Sequence, residues 1–300
     1  MTAFDRLLSS KAIVLADGAM GTMLMSAGLD PGDAPEGWNV AYPERVRAVH
    51  RGYIQAGSDI ILTNSLGGSR FRLKLHGLQD RVAELNRAAA TLARAEADAA
   101  PRPVAVGGSI GPSGEFFEPL GVLSFAEGRD GFAEQAAALV EGGVDVLWLE
   151  TMSDLQELQA AALGVRDVTD LPIVTTLTFD TNGRTMMGVT PLQALAAMRE
   201  LGAAALGANC GNGPAEIEGV IRAMRAADPD AILVAKSNAG LPEYVGGVVT
   251  YTGTPEMMAR HAVRVRGLGA RIIGACCGST PEHLSAMAEA LASDRRQGQP

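Results

Sequence analysis

ARIIGACCG, residues Ala270–Gly278, opens as an apolar run and closes on two adjacent cysteines and a glycine. It does not alternate apolar with polar, so it reads as a strand buried on both faces, the mark of a parallel sheet. Seven earlier stretches share this design: AIVLADG (Ala12–Gly18), DIILTNS (Asp59–Ser65), PVAVGGSIG (Pro103–Gly111), VDVLWLE (Val144–Glu150), PIVTTLTF (Pro172–Phe179), ALGANC (Ala205–Cys210) and AILVAKSNA (Ala231–Ala239). Amphipathic stretches lie between and after them: Pro43–Ala56, Gln79–Ala99, Ala133–Glu141, Leu155–Leu163, Pro191–Leu201, Ala215–Ala227, Pro255–Leu268 and Pro281–Leu291. Several begin with Pro, or with Ser, Thr or Asp nearby, as helix starts do. Strands alternating with helices leave two architectures, a closed (β/α)8 barrel or a doubly wound open sheet. The 300 residues divide into units of about 37, the usual barrel repeat, so a single (β/α)8 TIM barrel is expected. Residues 1–292 form that domain and 293–300 (SDRRQGQP) read as a flexible tail.

Composition agrees. Hydrophobic residues make up 47% and charged residues 20%, which suits a large core and excludes general disorder. Twenty-five Lys and Arg against 34 Asp and Glu give −9, a balance that argues against nucleic acid or an anionic membrane surface as partner. No apolar run approaches a membrane span, and Met1–Ser10 lacks the layout of a signal peptide, so a cytoplasmic location is expected. Three cysteines make a disulfide framework improbable.

Barrel chemistry sits where strands end at the C-terminal face. The residues there are Asp17, Asn64, Ser109, Glu150, Thr178, Cys210, Asn238 and Cys276–Cys277, a set that holds every cysteine in the chain. Three converging thiolates repel one another unless a cation binds, and soft thiolates select zinc among common metals. Three protein ligands leave a fourth position open, the catalytic pattern rather than the structural one. A tris-thiolate zinc is a poor Lewis acid for hydrolysis but a good activator of a further thiol. The chemistry expected is attack by a substrate thiolate on an electrophilic carbon. The competing reading makes the three cysteines small buried hydrophobes.

DGAMGTML (Asp17–Leu24), GANCGNGP (Gly207–Pro214) and GACCGSTPEHL (Gly274–Leu284) resemble the homocysteine S-methyltransferase family, which includes betaine–homocysteine methyltransferases and the homocysteine module of cobalamin-dependent methionine synthase. The stretch Trp38–Leu73 looks especially like bacterial betaine–homocysteine methyltransferases, and the resemblance runs from about residue 10 to 291. It implies a (β/α)8 barrel in which Cys210, Cys276 and Cys277 bind Zn2+, with homocysteine sulfur as the exchangeable ligand. It also implies that Asp17 and Glu150 surround the homocysteine amino group and that Trp38 stands near a betaine donor. A trimethylammonium group is well served by an aromatic face. The chain departs from the betaine pattern at Gly67, where the family's betaine enzymes carry tyrosine; Phe116, Phe117 and Tyr244 are the aromatic residues that could rebuild a cage. Asn64, Ser109 and Asn238 complete the substrate-binding candidates.

Other features carry less. Gly107, Gly108, Gly111 and Gly114 read as turn residues after the third strand, not as a phosphate loop. His50, His76, His261 and His283 fall away from the strand ends, and Phe179–Pro191 reads as a loop over the mouth. The leading expectation is a zinc-dependent methyltransferase that makes methionine from homocysteine, with betaine as favoured donor. S-methylmethionine, a dimethylsulfonium compound or a corrinoid protein are the alternatives. A non-catalytic homocysteine-binding subunit of a corrinoid system is the second class. A barrel lyase would need a strand-end lysine, for which Lys236 is the one candidate. Oligomeric state is open.

Overall fold

A computed structural model describes residues 1–245 and 248–297. Among the described residues ten strands occur in chain order: β1 (Val14–Leu15), β2 (Ile60–Leu62), β3 (Ala105–Ile110), β4 (Val146–Met152), β5 (Ile173–Leu177), β6 (Ala205–Cys210), β7 (Leu233–Ser237), β8 (Pro242–Val245), β9 (Val248–Tyr251) and β10 (Ala270–Ala275). Eight of them pair in parallel in the order β1-β10-β7-β6-β5-β4-β3-β2. A parallel bridge between Ala16 and Ile60 joins the two ends, giving a nearly closed (β/α)8 barrel. All eight expected strands are present. The antiparallel pair β8–β9 is an addition that the apolar pattern did not announce, set between β7 and the helix Pro255–Gly267.

The helices start where side chains can cap them. Ser124 and Glu127 form a capping box at Phe125–Glu141, and Thr190 and Gln193 do so at Pro191–Glu200. The first of these helices begins eight residues before the stretch read from sequence, because its early apolar contacts are glycines packed on aromatic rings. The last helix runs Pro281–Gln297, five residues into the segment expected as a tail; 298–300 lie outside the described residues.

Side chains alternate across each strand, and the inward ones form layers. Val146 and Trp148 of β4, Val174 of β5, Ala205 of β6, Val234 of β7 and Ile272 of β10 fill the lower barrel, in one cluster with Phe4 and Leu7 of α1 (Ala3–Ser10), the helix that closes the N-terminal end. Gly107 and Gly108 lie inside β3 and are not turn residues. A Cβ on Gly107 would stand 2.5 Å from Leu62 Cδ2, so the glycine makes room for the barrel filling beside Trp148. Continuing the alternation upward brings Ser109, Glu150, Asn209, Lys236 and Cys276 into the layer above Trp148.

Candidate active site at the barrel mouth

Cys210 ends β6, and Cys276 and Cys277 follow β10. Their three Sγ atoms lie within 4.8 Å of one another, with Cys210 and Cys276 at 2.7 Å. All three are free and partly exposed. The backbone is bent to bring them there. Cys210 has φ 58° and Thr151, just after Glu150, has φ 64°; for a β-branched residue that is a true outlier. Asn209 holds both bends. Its Oδ1 accepts from Thr151 N at 2.8 Å, and its Nδ2 donates to Thr151 Oγ1 at 2.8 Å and to Cys210 Sγ at 3.4 Å. The other two cysteines are fixed through their main chain: Cys276 N donates to Ser237 O at 2.7 Å, Ser279 Oγ donates to Cys276 O at 2.8 Å, and Ala239 N donates to Cys277 O at 2.9 Å. Ser279 Oγ also accepts from Ala19 N at 3.0 Å, which latches the loop after β1 to the cysteine loop.

Protons are shared unequally in this cluster. Hydrogen bonds from Cys210 and Cys276, with a further one from Tyr251, hold the Cys277 thiol at about 3, far below the usual thiol range. The same contacts push Cys210 well up. One thiolate is thus favoured before any cation binds, and the second and third need one. A soft, anionic three-sulfur cup of this kind fits a zinc-like cation.

Directly beneath lies a charged layer. Asp17 is buried with both oxygens engaged: Oδ1 accepts from Lys236 Nζ at 2.8 Å and Oδ2 from Leu62 N at 2.7 Å. Lys236 is 2% exposed, and its Nζ stands 5.6 Å from the centroid of the Trp148 ring. Burial opposes its charge, but Asp17 and Glu150 outweigh that and hold it above the usual lysine range. Glu150, also buried, accepts at Oε1 from Ser109 Oγ at 2.5 Å. Desolvation raises its carboxyl to about 7 against the pull of Lys236.

The remaining candidates are placed as follows. Asn238 Nδ2 donates to Gly211 O at 2.8 Å, bracing the residue after Cys210, while its Oδ1 is buried without a partner among the described residues. Asn64 is committed to the neighbouring loop, donating to Pro35 O at 2.8 Å and Asn39 Oδ1 at 2.9 Å. Trp38 is buried, and the Arg45 guanidinium covers its ring at 4.9 Å and that of Tyr42 at 4.8 Å. Phe117 is buried against Gly128, Phe116 is exposed, and the Tyr244 side chain lies outside the described residues. His50, His261 and His283 are packed inside the protein. Asn209 and Tyr251 escaped the sequence reading, and Lys236 entered it only as the lysine that a lyase would need. Asn209 and Lys236 could have been found by counting the inward alternation of β6 and β7. Tyr251, packed against Gly278 beside Cys277, comes from the unforeseen hairpin.

The fold and site define a (β/α)8 barrel with a three-thiol cup at its catalytic face and a buried charged layer below. The chain belongs to the homocysteine S-methyltransferase family, whose model matches residues 14–291. It is 33% identical to the methionine synthase of Mycobacterium tuberculosis over 96% of its own length and 32% identical to that of Mycobacterium leprae over 94%. The chain spans about a quarter of the length of these relatives. Among solved structures, the homocysteine methyltransferase MmuM from Escherichia coli, metallated form, superposes with a TM-score of 0.81 at 23% identity, over 96% of this chain and 99% of that one, and shares its fold. No helix among the described residues is long and apolar enough to cross a membrane.

Proposed function

We propose that this chain is a zinc-dependent homocysteine S-methyltransferase that forms methionine, with Cys210, Cys276 and Cys277 as the zinc ligands. The observation that carries the reading is the convergence of three thiols within 4.8 Å at the mouth of the barrel. Zinc held by these residues supplies a position at which a substrate thiol binds as its thiolate. The protein's own groups do the rest. Asn209 and the strained bends at Thr151 and Cys210 fix the cup in advance, so no reorganisation is needed when substrate arrives. Glu150, oriented by Ser109, receives the homocysteine ammonium through the oxygen that Ser109 leaves free. Asp17, which accepts one hydrogen bond at each oxygen and keeps acceptor capacity on both, receives the same ammonium beside Glu150. Tyr251 and the loop Phe179–Pro191 border the opening from which the donor approaches.

Betaine is the first donor to test. A second reading, a methylcorrinoid presented by a corrinoid protein or domain, gains support from Arg45 over the Trp38 ring, since an onium group cannot use a face already covered, and from the likeness to methionine synthases. The test is methionine formation from homocysteine by the zinc-loaded protein with betaine, a sulfonium donor and methylcobalamin in parallel. Turnover with any of them, lost on chelation and restored by zinc, is the expected result. No turnover with all three and no zinc retained would overturn the reading.

A further inference from the structure

A substrate with two recognised ends is held at two points, and the distance between those points is set by parts of the chain that touch neither end. The sulfur end belongs to the thiol cup, and the ammonium end to Asp17 and Glu150. Asp17 is tied to the cup through the backbone: Ala275 N, one residue before Cys276, donates to Asp17 O at 3.0 Å. For Glu150 the tie is a side chain. Glu150 stands on β4 and Cys210 ends β6, with β5 between them in the sheet. The ladder of β5 with β6 runs as far as Leu177 with Ala208, so Asn209 and Cys210 project beyond it.

Asn209 spans that gap. It is fully buried and so touches no substrate. Its Oδ1 and Nδ2 grip Thr151 at N and Oγ1, each at 2.8 Å, and Nδ2 also reaches Cys210 Sγ at 3.4 Å. Thr178, just past β5, joins both sides: its Oγ1 donates to Asn209 O at 2.7 Å and its N to Met152 O at 2.9 Å. Thr151 follows Glu150 and Cys210 follows Asn209, and both are left-handed, at φ 64° and 58°. Neither has the freedom of glycine there, so each bend persists because the contacts around it hold it. Releasing the Asn209 amide lets both relax, and the two ends of the substrate site then shift relative to each other.

Resting on the homocysteine reading above, we propose that Asn209 is a positioning residue that sets the span between the thiol cup and Glu150, and thereby selects amino thiols with two methylenes between the α-carbon and sulfur. Cysteine and the homologue with a third methylene carry the same charges and the same soft sulfur. They differ from homocysteine only in reach, and only a site with fixed anchor points can measure reach. A methylene too many or too few is worth roughly 10- to 200-fold where a site is rigid enough to count it.

The probes are L-homocysteine, L-cysteine and 2-amino-5-mercaptopentanoate. Their dissociation constants for the zinc-loaded protein are measured by calorimetry in wild type, N209A and T151A, with zinc in the protein fraction measured after each titration. The ratio of constants within one variant is the readout, because a partly folded preparation changes stoichiometry and not the ratio. In N209A the preference for homocysteine over each neighbour should fall about tenfold. T151A loses the hydroxyl and keeps the backbone N–H that Asn209 Oδ1 accepts, so the same shift should be about threefold, the worth of one modest hydrogen bond. If N209A does not retain zinc, T151A decides alone, since it leaves Cys210 and its contact with Asn209 in place. Ratios unmoved while zinc is retained and homocysteine binds would make Asn209 a purely structural brace and overturn the inference alone. Wild type that binds all three thiols alike would do the same. Wild-type protein that holds zinc and binds no homocysteine would overturn the functional reading and this inference with it.

Discussion

Two buried carboxylates stitch the same seam of the barrel, one at each end. At the N-terminal end Asp59 accepts from Leu15 N at 3.0 Å and pairs with Lys11 at 2.6 Å and Arg102 at 3.3 Å. At the C-terminal end Asp17 accepts from Leu62 N at 2.7 Å and pairs with Lys236 at 2.8 Å. Both bridge β1 and β2, where among the described residues one backbone bridge, Ala16 with Ile60, closes the barrel. The difference lies in the cations. Lys11 and Arg102 are 41% and 31% exposed along their side chains and reach in from the surface, whereas Lys236 is 2% exposed and grows from a strand interior. A seam needs only the carboxylate. Burying its counter-ion costs desolvation that closure does not require, so the upper pair is built for the pocket above it.

The sharpest break between the two ends is the metal. Cys210→Ala, Cys276→Ala or Cys277→Ala should each abolish retention of zinc against a chelator and lower methionine formation by about a thousandfold or more, since loss of a ligand removes the open position that binds the thiol. Asp59→Asn should leave both unchanged in whatever fraction folds. Zinc content and turnover, measured on the same samples, check this.

Stability should separate the ends next. Lys236→Met strands a fully buried carboxylate and should cost about 3–5 kcal/mol. Lys11→Met removes a cation that water and Arg102 can replace, and should cost less than about 1 kcal/mol. Urea unfolding of the metal-free proteins gives both numbers. Equal losses would mean that the two pairs serve only the seam.

This contrast also marks how far the sequence could be read. The barrel was legible because each strand is a short apolar run with a polar end, and the cysteines because they sit at those ends. Lys236 was visible as a residue of its strand but not as a partner of Asp17, since 219 positions separate them and no local pattern links them. Trp38 illustrates the opposite case. The family pattern offers it to a methyl donor, while the structure stacks it on Tyr42, the non-helical residue between the helices Trp38–Ala41 and Pro43–Gln55, and under Arg45 from the first turn of the second. Resemblance marked the position, and local geometry assigned the contact.

Glu150 gives the upper layer a pH signature. Its carboxyl is raised from 4.5 unfolded to about 7 folded by burial. Between those values the folded state binds more protons, so its contribution to stability is present at low pH and is lost as pH rises from 4.5 to 7. A shift of that size is worth on the order of 3 kcal/mol. Glu150→Gln should therefore flatten the stability profile of the metal-free protein over this window. In wild type, homocysteine should bind more tightly as pH climbs through about 7, because its ammonium needs the ionised carboxylate; the glutamine variant should lose that rise. Denaturant midpoints and calorimetric titrations at matched pH values decide it.

The smallest effect concerns a second cation over a ring. Lys236 sits above Trp148 inside the barrel, and Arg45 sits above Trp38 near its surface, where its Nη1 also donates to Ala27 O at 2.9 Å. The exposed pair should be worth less than about 1 kcal/mol, measured as the change in unfolding free energy on Arg45→Met. That substitution also uncovers the Trp38 face. If the ring seats the methylammonium end of betaine when Arg45 swings aside, removing the arginine should lower KM for betaine several-fold and leave turnover with methylcobalamin untouched. If the ring is packing alone, both should stay within about twofold of wild type. The second outcome is expected from the burial of Trp38 and from Gly67 standing where the betaine enzymes place tyrosine. It would make the inner cation–aromatic pair the functional one and the outer pair part of the frame.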